Sequence, residues 1–190
     1  MNVLLDHLSS TLVFTSVAFL LATTQLRMQQ DTASSTVAYM TKKHLLSFAE
    51  LVEDEFQLMG EGISGTKIVS LTSDSEGRTT SFIFNREISS VDTQIEYRLV
   101  PTDTVDVRGV DIPIFRIDRY EAGNQLGGGP AFFSDFRVEL LTSSGGAAST
   151  STARVVRITL SLLHSLGNTE TYRVNTSYWG MTLRPASLDT

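Results

Sequence analysis

His7, His44, His164, the acidic pairs Glu53 with Asp54 and Asp103 with Asp106, and the run GGGP at 127–130 are the positions of this 190-residue chain whose types suit metal, proton or phosphate chemistry. Imidazole-bound zinc needs spacings such as H-E-x-x-H, which bring two rings to one helix face. The three histidines are far apart, and His44 and His164 read as helix-face and strand-edge residues. Cysteine is absent, which removes disulfides, thiolate metal sites and cysteine nucleophiles together, and leaves the compartment open. Serine, aspartate and histidine all occur, yet no G-x-S-x-G elbow sets off a nucleophile. GGGP lacks the preceding strand and following helix of a phosphate loop, so it reads as a turn or inter-subunit loop. The acidic pairs read as solvated faces, and no D-x-D-x-D-G calcium loop occurs. The triplet NTS at 175–177 fits a glycosylation sequon but falls in an apparent strand. A non-enzyme without cofactor, metal or small-molecule substrate is expected.

The remaining chemistry lies at the start. In MNVLLDHLSSTLVFTSVAFLLATTQLRMQQ, residues 1–30, Asp6 stands near the tip of an apolar segment that has no Lys or Arg before Arg27. A carboxylate placed in hydrocarbon costs about 2.5–3.5 kcal/mol on insertion scales, so it needs a partner or an escape. Pairing inside an assembly, a seat in the membrane interface, and a charge set against the helix dipole are all open.

The elements that would carry these residues follow from punctuation and period. No Gly or Pro occurs from Met1 to Met59, which predicts one long helix of roughly 85–90 Å. Its first part, with Leu12, Phe14, Val17, Phe19 and Leu20, is apolar or small on every face and must be surrounded by lipid or other helices. Ser9, Ser10, Thr11, Thr15, Ser16, Thr23 and Thr24 suit close helix packing better than a lone tether. A polar, Ser/Thr-rich stretch at 25–43 has weaker helix propensity and marks a place for local loosening. From residue 40 to 59 the helix is amphipathic: Leu45, Phe48, Ala49, Val52, Phe56 and Met59 fall at steps of three and four, opposite Lys42, Lys43, Ser47, Glu50, Glu53, Asp54 and Gln57. Leu45, Phe48, Val52 and Phe56 form the expected seam to the rest of the protein. Gly60, Gly62 and Gly65 then end the helix.

After Gly65 the period becomes two. Strands are predicted at 66–71, 78–85, 93–100, 112–119, 136–141, 154–163 and 171–183, with a hairpin turn at 73–78 and loops at 123–134 and 143–152. Ile95, Tyr97 and Leu99 alternate with Gln94, Glu96 and Arg98, as one buried and one wet face of an antiparallel sheet require. Phe132, Phe133, Tyr178 and Trp179 read as core or subunit-interface aromatics. The expected class is α+β: a long N-terminal helix over 1–62, apolar in 1–27 and amphipathic in 40–59, packed on an antiparallel sheet domain of six or seven strands over 63–190. With 21 acidic against 15 basic residues and no run of like charge, the chain lacks a nucleic-acid footprint.

Three passages together resemble the type IV pilin-like superfamily, and within it the J-type minor pseudopilins of type II secretion and related minor type IV pilins. They are FAELVEDEFQLMGEG at 48–62, TQIEYRLV at 93–100 with IPIFRIDRYEAG at 112–123, and FFSDFRVELLTSSGG at 132–146 with ARVVRITLSLL at 153–163. The resemblance implies a structural subunit that assembles with copies of itself or other pilin-like subunits. It would sit in the inner membrane first and in a periplasmic or surface filament afterwards. It also implies a role for Asp6, since the family's near-terminal carboxylate answers the N-terminal ammonium of a neighbouring subunit. The chain departs from the family in lacking a basic leader and a GFTLIE-like run. Removal of Met1 would make Asp6 the fifth residue, and retention leaves it one place off. The alternatives are a membrane-anchored extracytoplasmic binding module and a viral or other envelope structural protein.

Overall fold

The computed structural model describes residues 2–107, 109–129, 132–166 and 173–189. Helix α1 runs unbroken from Asn2 to Gln57, 56 residues. The loosening expected at 25–43 does not occur. Thr32 and Thr36 donate their hydroxyls to the carbonyls of Met28 and Thr32 at 2.7 and 2.8 Å, and Ser34 reaches the Asp31 carbonyl. The helix gives way to a turn after Gln57, two residues earlier than the apolar pattern suggests. Gly60, at φ 76°, then donates its N–H to the Asn85 carbonyl at 2.8 Å. A Cβ there would stand within about 3 Å of the Lys67 side chain, so both the conformation and the approach require glycine.

The rest is an eight-stranded antiparallel sheet, making the protein α+β. Its strands are β1 (Ile68–Ser73), β2 (Thr79–Ile88), β3 (Val91–Val107), β4 (Val110–Glu121), β5 (Asn124–Gly128), β6 (Phe133–Leu141), β7 (Val155–Leu166) and β8 (Arg173–Leu183). The order is β1-β2-β3-β4-β6-β7-β8, with β5 paired to β4. Two differences from the sequence expectation have physical causes. β3 continues past Val100 because Pro101 sits at a register shift between Pro101 and Asp103, a place where a strand tolerates a missing N–H. β5 lies inside the stretch expected to be a loop. Its sequence NQLGG has poor strand propensity, and backbone pairing with β4 imposes the extended form. A Cβ on Gly128 would come within 2.4 Å of the Ile117 carbonyl oxygen, so only glycine fits that approach. The expected turn at 73–78 is present, with Asp74 Oδ1 accepting the N–H groups of Glu76 and Arg78 at 2.9 Å each. Residues 171 and 172 of the expected last strand, and Pro130 of GGGP, lie outside the described residues.

Among the described residues β4 and β6 share a single residue pair, Phe115 with Phe133, and the sheet divides there into two lobes. The lobes close on each other: the buried Val138 N–H of β6 donates to the Thr79 hydroxyl of β2 at 2.8 Å. Thr79→Val keeps the shape and leaves that amide without an acceptor, with an expected loss of about 1–3 kcal/mol. Urea unfolding checks this, and a midpoint equal to that of the parent would mean the two lobes do not depend on the bond.

Residues 45–59 of the chain fill the trough between the lobes. Phe56 packs its ring against Phe82, Phe84 and Tyr97, at centroid distances of 5.2–5.3 Å, and Phe48 meets Phe133 at 5.3 Å. Leu45, Phe48, Val52 and Phe56 are all buried in one core with strand residues of both lobes. After β8, a short 3-10 helix, Ala186–Asp189, returns to the helix end, where the Ser187 hydroxyl donates to the Met59 carbonyl.

Candidate functional site

Two features on opposite parts of α1 stand out: an apolar segment that nothing covers, and a buried ion cluster that holds the other end. Leu12, Phe14, Val17, Phe19 and Leu20 are exposed, Phe14 and Phe19 by 73% and 69%. At 100° per residue these positions fall all around the helix, so no single face of the sheet domain could bury them. The helix is long and apolar enough to cross a membrane by length and composition. Most of its hydroxyls are satisfied within the helix. Thr11, Thr15, Ser16, Thr23 and Thr24 each donate to a carbonyl three or four residues earlier, so the surface offered outward is chiefly methyl, methylene and ring carbon. Asp6 is exposed, and among the described residues its carboxylate has no hydrogen-bond or ion-pair partner.

The holding cluster centres on Glu55, only 5% exposed. The Tyr97 hydroxyl donates to Glu55 Oε2 at 2.5 Å, and Arg119 grips both carboxylate oxygens through Nε at 2.8 Å and Nη2 at 2.5 Å. Arg86 Nη1 stands 3.8 Å from the same carboxylate, and Arg119 Nη2 also reaches Glu121 at 2.7 Å. The strands prepare this geometry, because Tyr97 of β3 and Arg119 of β4 are direct cross-strand partners. Burial pushes the Glu55 carboxyl upward, but the hydrogen bonds from Arg119 and Tyr97 and the charges of Arg119 and Arg86 outweigh it, and the group ends below the ordinary carboxylate range. Burial and the adjacent Glu55 carboxylate push the Tyr97 phenol well above its usual value, so it remains a neutral donor. A carboxylate held ionised by two guanidiniums and a phenol has no proton to exchange near neutral pH. Its role is positional: it fixes the C-terminal end of α1 to β3 and β4.

Sequence reasoning passed over Glu55. The signal was present, since Glu55 lies three residues after Val52 and four before Met59, inside the apolar stripe. Arg119 likewise shares strand parity with the buried Phe115 and Ile117.

The other candidates do not converge. His7 and His44 are both exposed on α1, and the His164 side chain lies outside the described residues. Glu53 accepts from Gln57 at 3.4 Å, while Asp103 and Asp106 each cap a nearby backbone N–H. Gly127 and Gly128 of GGGP belong to β5 rather than to a loop. Phe133 is core and Trp179 packs against it, whereas Phe132 and Tyr178 are exposed. The side chains of Asn175 and Thr176 lie outside the described residues. Among the described residues no group of three or more His, Asp or Glu is placed to hold a metal ion. No family model, curated protein or solved structure matches the chain.

Proposed function

We propose that this protein is a non-enzymatic structural subunit of a pilin-like filament or pseudopilus, assembling through the apolar part of α1. The observation that carries the reading is the uncovered helix: from residue 2 to 40 no residue is buried where burial is described. At 1.5 Å per residue the stretch 2–35 spans roughly 50 Å before Thr36, Val37 and Met40 come beside Phe132 of the sheet domain. A tether alone needs about 20 apolar residues, enough for a hydrocarbon layer of roughly 30 Å. The excess length, and small hydroxylated residues whose donors are already used, favour a helix packed among other helices. The resemblance of three sequence passages to J-type minor pseudopilins and minor type IV pilins points the same way. Before assembly the segment would lie in the inner membrane, and afterwards in the core of a cell-envelope filament.

Asp6 is the charge that such a core must neutralise, and a neighbour's N-terminal ammonium is the partner of matching sign. Asp6→Ala is expected to lower filament yield at least tenfold, while the circular dichroism and melting temperature of detergent-dispersed protein stay unchanged. Negative-stain microscopy and pelleting measure the yield. Undiminished filaments from the variant would return Asp6 to the membrane interface. Parent protein that never yields filaments would favour the anchored binding module.

A further inference from the structure

The exposed apolar surface of α1 does not end where the sheet domain begins. Val37 and Met40 are exposed by 52% and 56%, and with Thr36, Thr41 and His44 they form one wall of a groove of about 230 Å³. Val37, Met40, Thr41 and His44 recur at steps of three and four, so they lie along one flank of the helix. The other wall is Phe132, and its place is fixed. Its carbonyl accepts the Leu163 N–H at 2.9 Å, and the next residue, Phe133, is buried and packs on Phe48 at 5.3 Å. That anchoring presents Phe132, half exposed, beside the flank of α1. Among these described lining residues none is an Asp, Glu, Lys or Arg.

Acyl chains, the chain's own apolar segment and the helix of another copy are the apolar groups at hand, and geometry separates them. With 8–26 set squarely across a hydrocarbon layer of roughly 30 Å, the layer ends about 15 Å from Val17, whereas Met40 lies roughly 35 Å from Val17 along the helix. Lipid therefore does not reach the groove. The chain's own segment cannot fold back to it, because α1 is unbroken from Asn2 to Gln57. The same segment of a second copy fits. Residues 8–26 hold no charged side chain, and Phe14, Phe19 and Leu20 project from them with 73%, 69% and 63% exposure. A helix carrying such side chains seats them in the groove of its neighbour at an interaxial distance of about 8–10 Å.

We infer that the groove between Phe132 and the 36–44 flank of α1 receives the apolar segment of α1 from a second copy, displaced roughly 35 Å outward along the helix axis. The inference rests on the filament reading and adds to it the surface that a neighbour meets and the stagger between copies. Copies level with one another would instead set Met40 beside Met40.

The chain has no cysteine, so engineered pairs report contacts without background. Met40→Cys is combined with a cysteine at each position from 8 to 26 in turn, and membrane and filament fractions of the full chain are oxidised and run on non-reducing gels. A bond within one chain is excluded, since position 26 lies roughly 20 Å from Met40 on the same helix and a disulfide needs Cα atoms within about 7 Å. The expected result is cross-linked multimers that peak at positions three or four apart, at least tenfold above Met40→Cys alone. Val37→Cys repeats the scan without relying on the tolerance of the Met40 position. Phe132→Ser should lower the best cross-link at least tenfold, while the melting temperature of the detergent-dispersed chain stays unchanged. Cross-links without filaments would support the groove and remove the filament. Filaments without these cross-links, cross-linking through Met40→Cys alone, or undiminished cross-linking in Phe132→Ser would overturn the groove and leave the filament reading standing. The absence of both filaments and cross-links would overturn both.

Discussion

Glu55→Ala is expected to destabilise the folded chain by about 3–5 kcal/mol, because it leaves the partly buried Arg86 without its carboxylate, leaves Arg119 with Glu121 alone, and strands the Tyr97 hydroxyl. The loss belongs to breaking the cluster rather than to the net worth of an ion pair. Replacing Glu55 and Arg119 together by Leu and Met should therefore recover a large part of it. Denaturant unfolding of the two single variants and the double variant measures the coupling. Strictly additive losses would show that the carboxylate and guanidinium do not act as a unit.

The same cluster gives a pH signature with a definite sign. The Glu55 carboxyl is held below its unfolded value, so its contribution is fully present above about pH 4.3 and is lost as pH falls through the folded value. Stability of the parent should decline faster on acidification than that of the Leu/Met double variant, and parallel profiles would remove Glu55 from the acid transition.

Deleting residues 1–27 carries the largest expected effect on behaviour. The segment lies ahead of every buried position of α1, and the core draws on residues from Leu45 onward. The remaining chain should stay folded, with a melting temperature within a few degrees of the parent. It should run as a soluble monomer and form no filaments, since the uncovered apolar surface has gone. Calorimetry, light scattering and microscopy of one preparation test all three outcomes. A truncated chain that still assembles would place the polymerising surface on the sheet domain, and one that fails to fold would mean the apolar segment steadies the core.

Much of the architecture is readable from local pattern. The absence of Gly and Pro before residue 60 marks the helix, and the step of three and four from Leu45 to Met59 marks the face that becomes core. Alternation marks the buried sides of β3 and β7, where Ile95, Tyr97, Ile158 and Leu160 are fully enclosed. The uncovered apolar start is equally plain, because a segment hydrophobic all round cannot be satisfied by one neighbour.

What local pattern does not contain is which distant groups meet. Glu50, Glu53, Asp54 and Glu55 look alike in the sequence, and only Glu55 is buried. Its partners lie 42 and 64 residues away, on strands whose register sets Tyr97 opposite Arg119. β5 has poor strand propensity and exists because β4 offers an edge, and the two lobes are joined by the Thr79 hydroxyl, the Phe115–Phe133 pair and a shared core. Hydrophobic periodicity is a property of neighbours along the chain, so the sequence by itself determined the helix, its two characters and the alternating strands. Ion pairing, edge pairing and cavity formation join residues far apart in the chain, and only the tertiary structure decided those.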